Sequence, residues 1–511
     1  MVLKRLMSTR TGEPPRAALD RSPDRTRIFF ALTLAIFGLA LCFGGATYRG
    51  FASDALVELA CLPLLAVALM RLAGESRTRR AAFPLVLLAL MLALPLLQLI
   101  PLPPGIWPLL PGRAGVVEVF TFIGRPVPWW PLSLDPSATL ASFLSVLPAA
   151  AIFLAVLSTD VRDRRMMTLG LVGFAAVTVV LGLAQLAQGP GSPLRFYAIT
   201  NFDSSVGFFA NRNHYAALLC AVLPLALAWT IHSAGLSGVE GRMRALLFGS
   251  VSVLILFGAA LSLSRAGILL ATFALGSSIL LLDFGAARES RRSVIRLMMV
   301  IGAIAVVMIA NYALSGLLSR FASSGIDDFR LLIWSITREA ISSVFPFGGG
   351  FGTFQPLYLA FDRPDALSES FVNRAHNDWL ELVLEAGLPA VFLMIAFLAW
   401  FGLAALRAWR GHAAEESRLD VKLTRAATLS IVILLLHSFV DYPLRTIAVQ
   451  VLFAFLCALL VAPVCRMVKP PSRRRRRPAR GHRPAPSDPR PSPPPVAPPP
   501  PRDRRSLNWT D

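Results

Sequence analysis

Charge is scarce in this chain. Of its 511 residues only 16% are Asp, Glu, Lys or Arg, 55% are apolar, and the mean hydropathy is +0.61. That balance excludes an ordinary soluble enzyme and fits a polytopic membrane protein. Cysteine is scarce too. The five present (Cys42, Cys61, Cys220, Cys457, Cys465) lie in or beside apolar segments without CxxC spacing. They read as small core hydrophobes, not as a disulfide framework or a metal site. HExxH, histidines paired at helical spacing, a DxD in the outward loops and a P-loop are all missing, so no metal and no cofactor is expected. No cleavable signal peptide is evident, because Met1–Arg27 is polar and the first apolar run is too long for a signal h-region. There is no obvious internal repeat of the kind that secondary transporters carry.

What is present is apolar length. About twelve runs are long enough to span a bilayer as helices, over 28–48, 51–72, 81–102, 138–158, 166–188, 214–232, 245–263, 265–283, 294–314, 378–406, 423–441 and 444–465. The fold class is therefore an all-α polytopic membrane protein. It is organised as an N-terminal segment (1–27), nine helices (28–314), a large loop (315–377), three helices (378–465) and a tail (466–511). Every second connection is basic. Seven Lys/Arg precede the first span, and Arg71, Arg77, Arg79 and Arg80, then Arg162, Arg164 and Arg165, then Arg242 and Arg244 follow. Arg288, Arg291, Arg292 and Arg296 come next, and then Arg407, Arg410, Arg418, Lys422 and Arg425. The positive-inside rule places these connections and both termini in the cytoplasm.

The stretch 245–283 tests that alternation. As one helix it would reach roughly 58 Å, nearly twice the hydrocarbon thickness. Basic connections flank it on both sides, so it should be a tight hairpin with Arg265 of "LSLSRAGILL" at the non-cytoplasmic turn. Half of the net charge of +20 is in the tail, where the last 46 residues hold 13 Arg/Lys against 3 acids. Rich in Pro and Arg and nearly devoid of apolar residues, the tail should be disordered and touch anionic lipid; nucleic acid is not expected as a partner. Two outward loops are long. The first, about 103–137, contains Trp129 and Trp130, which read as interfacial aromatics. The second, about 315–377, holds five Arg and six acids, a helical pattern over Phe329–Ile341, and the Gly-rich turn "PFGGGFGTF".

The second loop ends at His376, so His376 and Arg265 fall on the same outer face. Asn377 or Asp378 can cap the helix that follows, and Asp378-x-x-Glu381 resembles a capping box. Asn377, Asp378, Glu381 and Glu385 share a sector of about 100° on that helix. Either this is a polar helix start among lipid headgroups, or His376 is a base tuned by nearby carboxylates. Glu385 lies deeper and requires a partner. Arg265, alone between two apolar helices, either snorkels or meets an anionic ligand. Arg212 stands at the outer end of another helix, with Asn211, Asn213 and His214 around it. Arg330 and Arg338 lie eight apart, Arg338 reading as solvated surface. Asp441 and Arg445 in "HSFVDYPLR" read as a local structural ion pair. Arginine forks suit phosphate and pyrophosphate, and a histidine suits deprotonating a hydroxyl. Together they suggest metal-free group transfer from a lipid-linked phosphate donor.

At these residues the chain resembles the O-antigen ligase family, which includes O-antigen polymerases and protein O-oligosaccharyltransferases. "GFFANRNHYAALL", "LSLSRAG", "GGGFGTF" and "HNDWLELVLEAGLPA" carry the resemblance, over about 200–450. The last resembles the family's His-Asn, nine residues, GxxG pattern, with Ala390 where the final Gly stands. The resemblance implies a C-type glycosyltransferase fold with a large periplasmic loop, in the bacterial inner membrane. It also implies a glycan donor on undecaprenyl pyrophosphate, an acceptor on lipid A core, another glycan or a protein, and attack with inversion. By carry-over His376 resembles the base and Arg265 a pyrophosphate-binding arginine. Arg212 and Arg330 resemble further phosphate contacts, and Asn377 and Glu381 count with them as candidate substrate contacts. A polysaccharide polymerase is the alternative within the family; a flippase or a non-catalytic assembly scaffold is the alternative outside it.

Overall fold

Among the described residues Arg164, Arg165 and Lys422 gather near Val461, Asp420 and Leu281 at one end of the helical bundle, which is called the basic end, and His376 lies at the other. The structure is a computed structural model describing residues 23–47, 51–73, 79–282, 325–363, 372–410 and 418–461, with 299, 302–303 and 497–498 isolated beside them. Apart from 497–498, the described residues belong to one unit, Met1–Cys465. The expected disorder of the tail lies outside the described residues.

That unit is built from α1 (Pro23–Phe43), α2 (Ala52–Ala73), α3 (Arg79–Gln98), α4 (Ala114–Phe122), α5 (Pro136–Leu157), α6 (Val161–Gln188) and α7 (Arg212–Ala234). Then follow α8 (Gly238–Leu261), α9 (Arg265–Ser277), α10 (Gly325–Val344), α11 (Phe354–Ala360), α12 (Asp378–Arg410), α13 (Arg418–His437) and α14 (Ile447–Leu460). Among the described residues eight helices are long and apolar enough to cross a membrane, where about twelve were expected. The difference has local causes. Two expected spans form shorter apolar helices, Arg265–Leu281 and Ile447–Leu460. The first of these tightens to 3₁₀ geometry at Ser278–Leu281. Helix α13 begins with a charged turn, and its buried Lys422 donates to the Leu281 carbonyl (3.3 Å). The expected span 294–314 lies outside the described residues apart from 299 and 302–303.

The expected hairpin is present. Helix α8 stops at Leu261 and α9 starts at Arg265, with Leu263 in the left-handed region (φ 52°). Ser264 caps α9 by accepting from the Gly267 N–H (3.1 Å). Both ends of the bundle are stapled by polar bonds. At the basic end Arg164 donates to the carbonyls of Val156 and Val461, and Arg165 grips Asp420 through both carboxylate oxygens (2.6 Å). At the His376 end Ala210 N–H donates to Gly45 O, Ala448 N–H to Gly44 O and Asp378 N–H to Ser438 O. Helix α7 is apolar on every face and buried almost throughout, as an all-round apolar helix at the centre of a bundle must be. Its N-terminus therefore opens at the middle of the His376 end, which is where Arg212 stands.

The loop between α3 and α5 folds back on itself through a two-residue ribbon, β1 (Pro101–Leu102) against β2 (Trp130–Pro131). Trp129 is exposed, whereas Trp130 packs against Trp107 and Phe120 inside the loop. Only Trp129 has the exposure that an interfacial aromatic requires. Arg113, fully buried, donates to the carbonyls of Pro111, Leu132 and Gly348, and so ties this loop to the next. Burial pushes its guanidinium down to about 10.

Candidate active site

Helix α12 is two helices joined at Gly387, whose φ of 57° and ψ of −140° are not helical. A Cβ at Gly387 would lie 2.0 Å from the Pro346 carbonyl oxygen, so only glycine fits. The chain of "PFGGGFG" threads into this break. Gly349 N–H donates to Leu384 O (3.0 Å), Gly350 N–H to Glu385 O (2.8 Å) and Leu388 N–H to Pro346 O (2.8 Å). Gly348, at φ 79°, passes so close that a Cβ would meet Glu385 O at 2.5 Å. Carbonyls freed at the break are thus satisfied by neighbouring backbone, as backbone deep in a membrane protein must be. The result is a short polar helix, 378–386, standing on the His376 end of a long apolar one.

His376 precedes that short helix with φ 47°, a conformation costly for a residue with a Cβ and held only where its surroundings fix it. Two neighbours fix it. Asn377 caps the helix, its Oδ1 accepting from Trp379 N–H (3.0 Å) and Leu380 N–H (3.1 Å). Glu381 reaches back to accept from Ala375 N–H (3.0 Å) and from Arg374 Nη1 (2.7 Å). Asp378 and Glu381 form no capping box; Asp378 instead accepts from Ser438 Oγ (2.8 Å) and Leu444 N–H (3.2 Å). Asn377 and Glu381, expected to touch substrate, are buried and hold the His376 turn. Replacing Asn377 with Ala should lower the thermal midpoint of the purified protein, since a lost cap costs roughly 0.5–2 kcal/mol. A raised donor KM with an unchanged midpoint would instead return Asn377 to the substrate.

The His376 ring meets Asp441, 65 residues on, with Nδ1 3.1 Å from Oδ1. Asp441 also accepts from Asn213 Nδ2 and from its neighbour's Tyr442 N–H (2.9 Å), and Arg330 Nη2 lies 3.9 Å away. Burial works to raise the Asp441 carboxyl. The hydrogen bond from His376 and the attraction of His376, His214 and Arg330 outweigh it and hold the group far below the usual carboxylate range. An ionised carboxylate only accepts, so Nδ1 carries the hydrogen and the neutral ring keeps its lone pair on Nε2. Tyr442 presents its ring edge-on to both His376 and the buried His214 (centroids 4.9 and 4.8 Å). Burial and the Asp441 charge push its phenol up to about 12.

The three arginines singled out in the sequence meet. Arg212, Arg265 and Arg330, with Asn213, Leu263, Ser264 and Ala266, line one cleft of about 50 Å³. They come from the first residue of α7, the first residue of α9 and the second turn of α10. The N-termini of α7 and α9 therefore lie at the cleft, where their positive dipole ends add to the arginine charge, although N–H groups of their first turns are taken by Asn201, Asn211 and Ser264. Asn211 and Ser264 cap those helices, and Asp203 lies 3.6 Å from Arg212 Nη1. Arg330, which lines the cleft and also approaches Asp441, links it to His376. Arg338 is exposed, as expected.

Residues 250–395 match the family model described as O-antigen ligase. This segment is similar to the O-antigen ligase family. No match was found among curated proteins. The O-antigen ligase match contains Arg265, Arg330, Asn377, Glu381 and His376; Arg212 and Asp441 lie beyond it and are joined to it by the fold. The sequence reading of Asp441 and Arg445 as an ion pair does not hold. Arg445 turns the other way, to Glu385 Oε2 (2.6 Å), Asp378 Oδ1 (3.5 Å) and Glu381 Oε1 (3.7 Å). Burial works to lower Arg445, but those carboxylates hold it above its ordinary value. This supplies the partner that the depth of Glu385 requires, and it leaves Asp441 to His376.

Proposed function

We propose that the chain transfers a glycan from undecaprenyl pyrophosphate to an acceptor hydroxyl at the periplasmic face of the bacterial inner membrane, with both termini in the cytoplasm. The observation that carries this reading is the convergence of Arg212, Arg265 and Arg330 on one cleft, linked through Arg330 and Asp441 to His376. A cleft lined by three arginines and two helix N-termini suits a diphosphate. His376 Nε2 accepts the proton of the acceptor hydroxyl as its oxygen attacks the anomeric carbon. The bond from that carbon to the pyrophosphate oxygen breaks, and the lipid pyrophosphate leaves with the electron pair. The arginines carry the charge that develops on it. Single displacement inverts the anomeric centre. Asp441 keeps the proton on Nδ1 and steadies the imidazolium that forms.

Arg265→Lys tests the assignment of the cleft. Lysine keeps the charge and loses the fork. With purified protein, lipid-linked glycan and acceptor, the donor KM should rise about ten-fold, the equivalent of one charged hydrogen bond. An unchanged donor KM removes the diphosphate from this cleft. Ligase and polymerase differ in acceptor alone. Attachment to lipid A core identifies the first, and lengthening of chains on the lipid carrier identifies the second.

A further inference from the structure

A second cavity, of about 620 Å³, shares no lining residue with the arginine cleft. It is walled by α2, α3, α5, α12 and α14 and runs from Arg374, beside His376, to Cys457. Cys457 is ten residues into α14, roughly 15 Å along that helix. The deep wall is apolar, with Phe153, Trp400 and Phe453 among its residues. Such a shape and size suit one long hydrocarbon chain.

The charged groups of this cavity are all at its His376 end, and they carry both signs. On one side are Arg374 and Arg445, and the buried Nη2 of Arg445 has no hydrogen-bond partner. Beside it Asp378, 3% exposed, has an Oδ1 likewise without a hydrogen bond. On the other side Asp54 and Glu58 project from the first two turns of α2. Neither carboxylate has a hydrogen bond or ion pair to its side chain among the described residues. Ionisable groups placed this way in a membrane protein call for a ligand of opposite charge.

We propose that this cavity binds one acyl chain of a phospholipid whose headgroup carries a primary ammonium. The ammonium sits between Asp54 and Glu58, the phosphate takes the unpartnered Nη2 of Arg445 with Arg374, and the chain lies along the apolar wall. This site goes beyond the transferase reading. An anionic headgroup without the ammonium meets two carboxylates that nothing neutralises. A polyprenyl pyrophosphate fits worse, because it brings at least two negative charges and no cation to a cavity where two arginines already face Asp378, Glu381 and Glu385 and where Asp54 and Glu58 add two more carboxylates. A quaternary ammonium has no N–H to donate.

The test is native mass spectrometry of the full chain, delipidated in mild detergent and then offered phosphatidylethanolamine, phosphatidylglycerol and phosphatidylcholine of equal chain length, with undecaprenyl phosphate. Phosphatidylethanolamine should be retained about ten-fold over the others, since one charged hydrogen bond is worth that factor. The pair Asp54→Asn with Glu58→Gln should abolish the preference. Ala454→Phe, which fills the wall and changes no charge, should lower retention itself and serves where the double variant does not purify. Equal retention of phosphatidylglycerol, displacement by undecaprenyl phosphate, or a preference that survives both variants overturns the site. The readout is a mass adduct, so an inactive His376 variant leaves it untouched, and its failure leaves the transferase reading standing.

Discussion

Asp441→Asn should lower transfer by about 10²–10⁴-fold, the range associated with a lost acid–base partner, while the protein stays folded. Asparagine matches aspartate in shape but has one oxygen where Asp441 uses two, Oδ2 for Asn213 and Oδ1 for His376 and Tyr442 N–H, so it keeps only the bonds on one side. It does not keep the charge, and its amide can turn its NH₂ toward His376. The ring then keeps its hydrogen on Nε2, where a base needs its lone pair. His376→Ala should cost a similar factor, and the double variant little more, because two groups acting as one unit are not additive. The measurement is initial rate in the purified system for all four proteins. Additive losses would separate Asp441 from His376.

Arg445→Met should act on the fold. The side chain is 12% exposed and holds Asp378, Glu381 and Glu385 at 3.5, 3.7 and 2.6 Å. Breaking a buried pair by removing one partner costs about 3–5 kcal/mol, because the other charge is left buried and uncompensated. Here three carboxylates are left, with Arg374 remaining beside Glu381 (2.7 Å). That is a large share of the 5–15 kcal/mol typical of a folded protein. Little monodisperse protein should survive extraction, and its thermal midpoint should fall sharply. Adding Glu385→Gln, which removes one orphaned charge, should restore part of the loss. A midpoint equal to that of the unsubstituted protein would mean that the buried network does not hold the His376 turn.

The sequence was most legible where a single periodicity or charge count decides. Apolar length and alternating arginines predict the helices, the segregation of basic connections to one end, and the hairpin at Leu261–Arg265. His376, Arg265, Arg212 and Arg330 were all legible as polar groups at helix ends, because each stands where polar residues flank an apolar run. Their convergence was not, because Arg212 and Arg330 are 118 positions apart and nothing local says which helix ends are neighbours. Asp441 was visible but misassigned. Spacing of four suggests a local pair with Arg445, whereas the turn at 438–446 points the two side chains to opposite partners, His376 on one side and Glu385 on the other. Asn377 and Glu381 show a related limit, since the bonds they make to Arg374, Ala375, Trp379 and Leu380 were not legible. A polar sector on a helix looks the same whether it faces a substrate or a buried arginine. Gly387 illustrates a third limit. Its place in the motif was readable, yet its reason, the Pro346 carbonyl lodged in the break, comes from a loop 41 residues away.

The central claim is that His376 performs glycan transfer. The most direct measurement is the surface-glycan profile of cells lacking this protein, complemented with the unsubstituted chain or with His376→Ala at equal protein level. The account predicts that the unsubstituted chain restores the normal profile and that His376→Ala leaves it as in the deletion. Unattached long chains on the lipid carrier mark a ligase, and single repeat units on core or carrier mark a polymerase. Full restoration by His376→Ala would contradict the account and leave the chain as a scaffold or transporter.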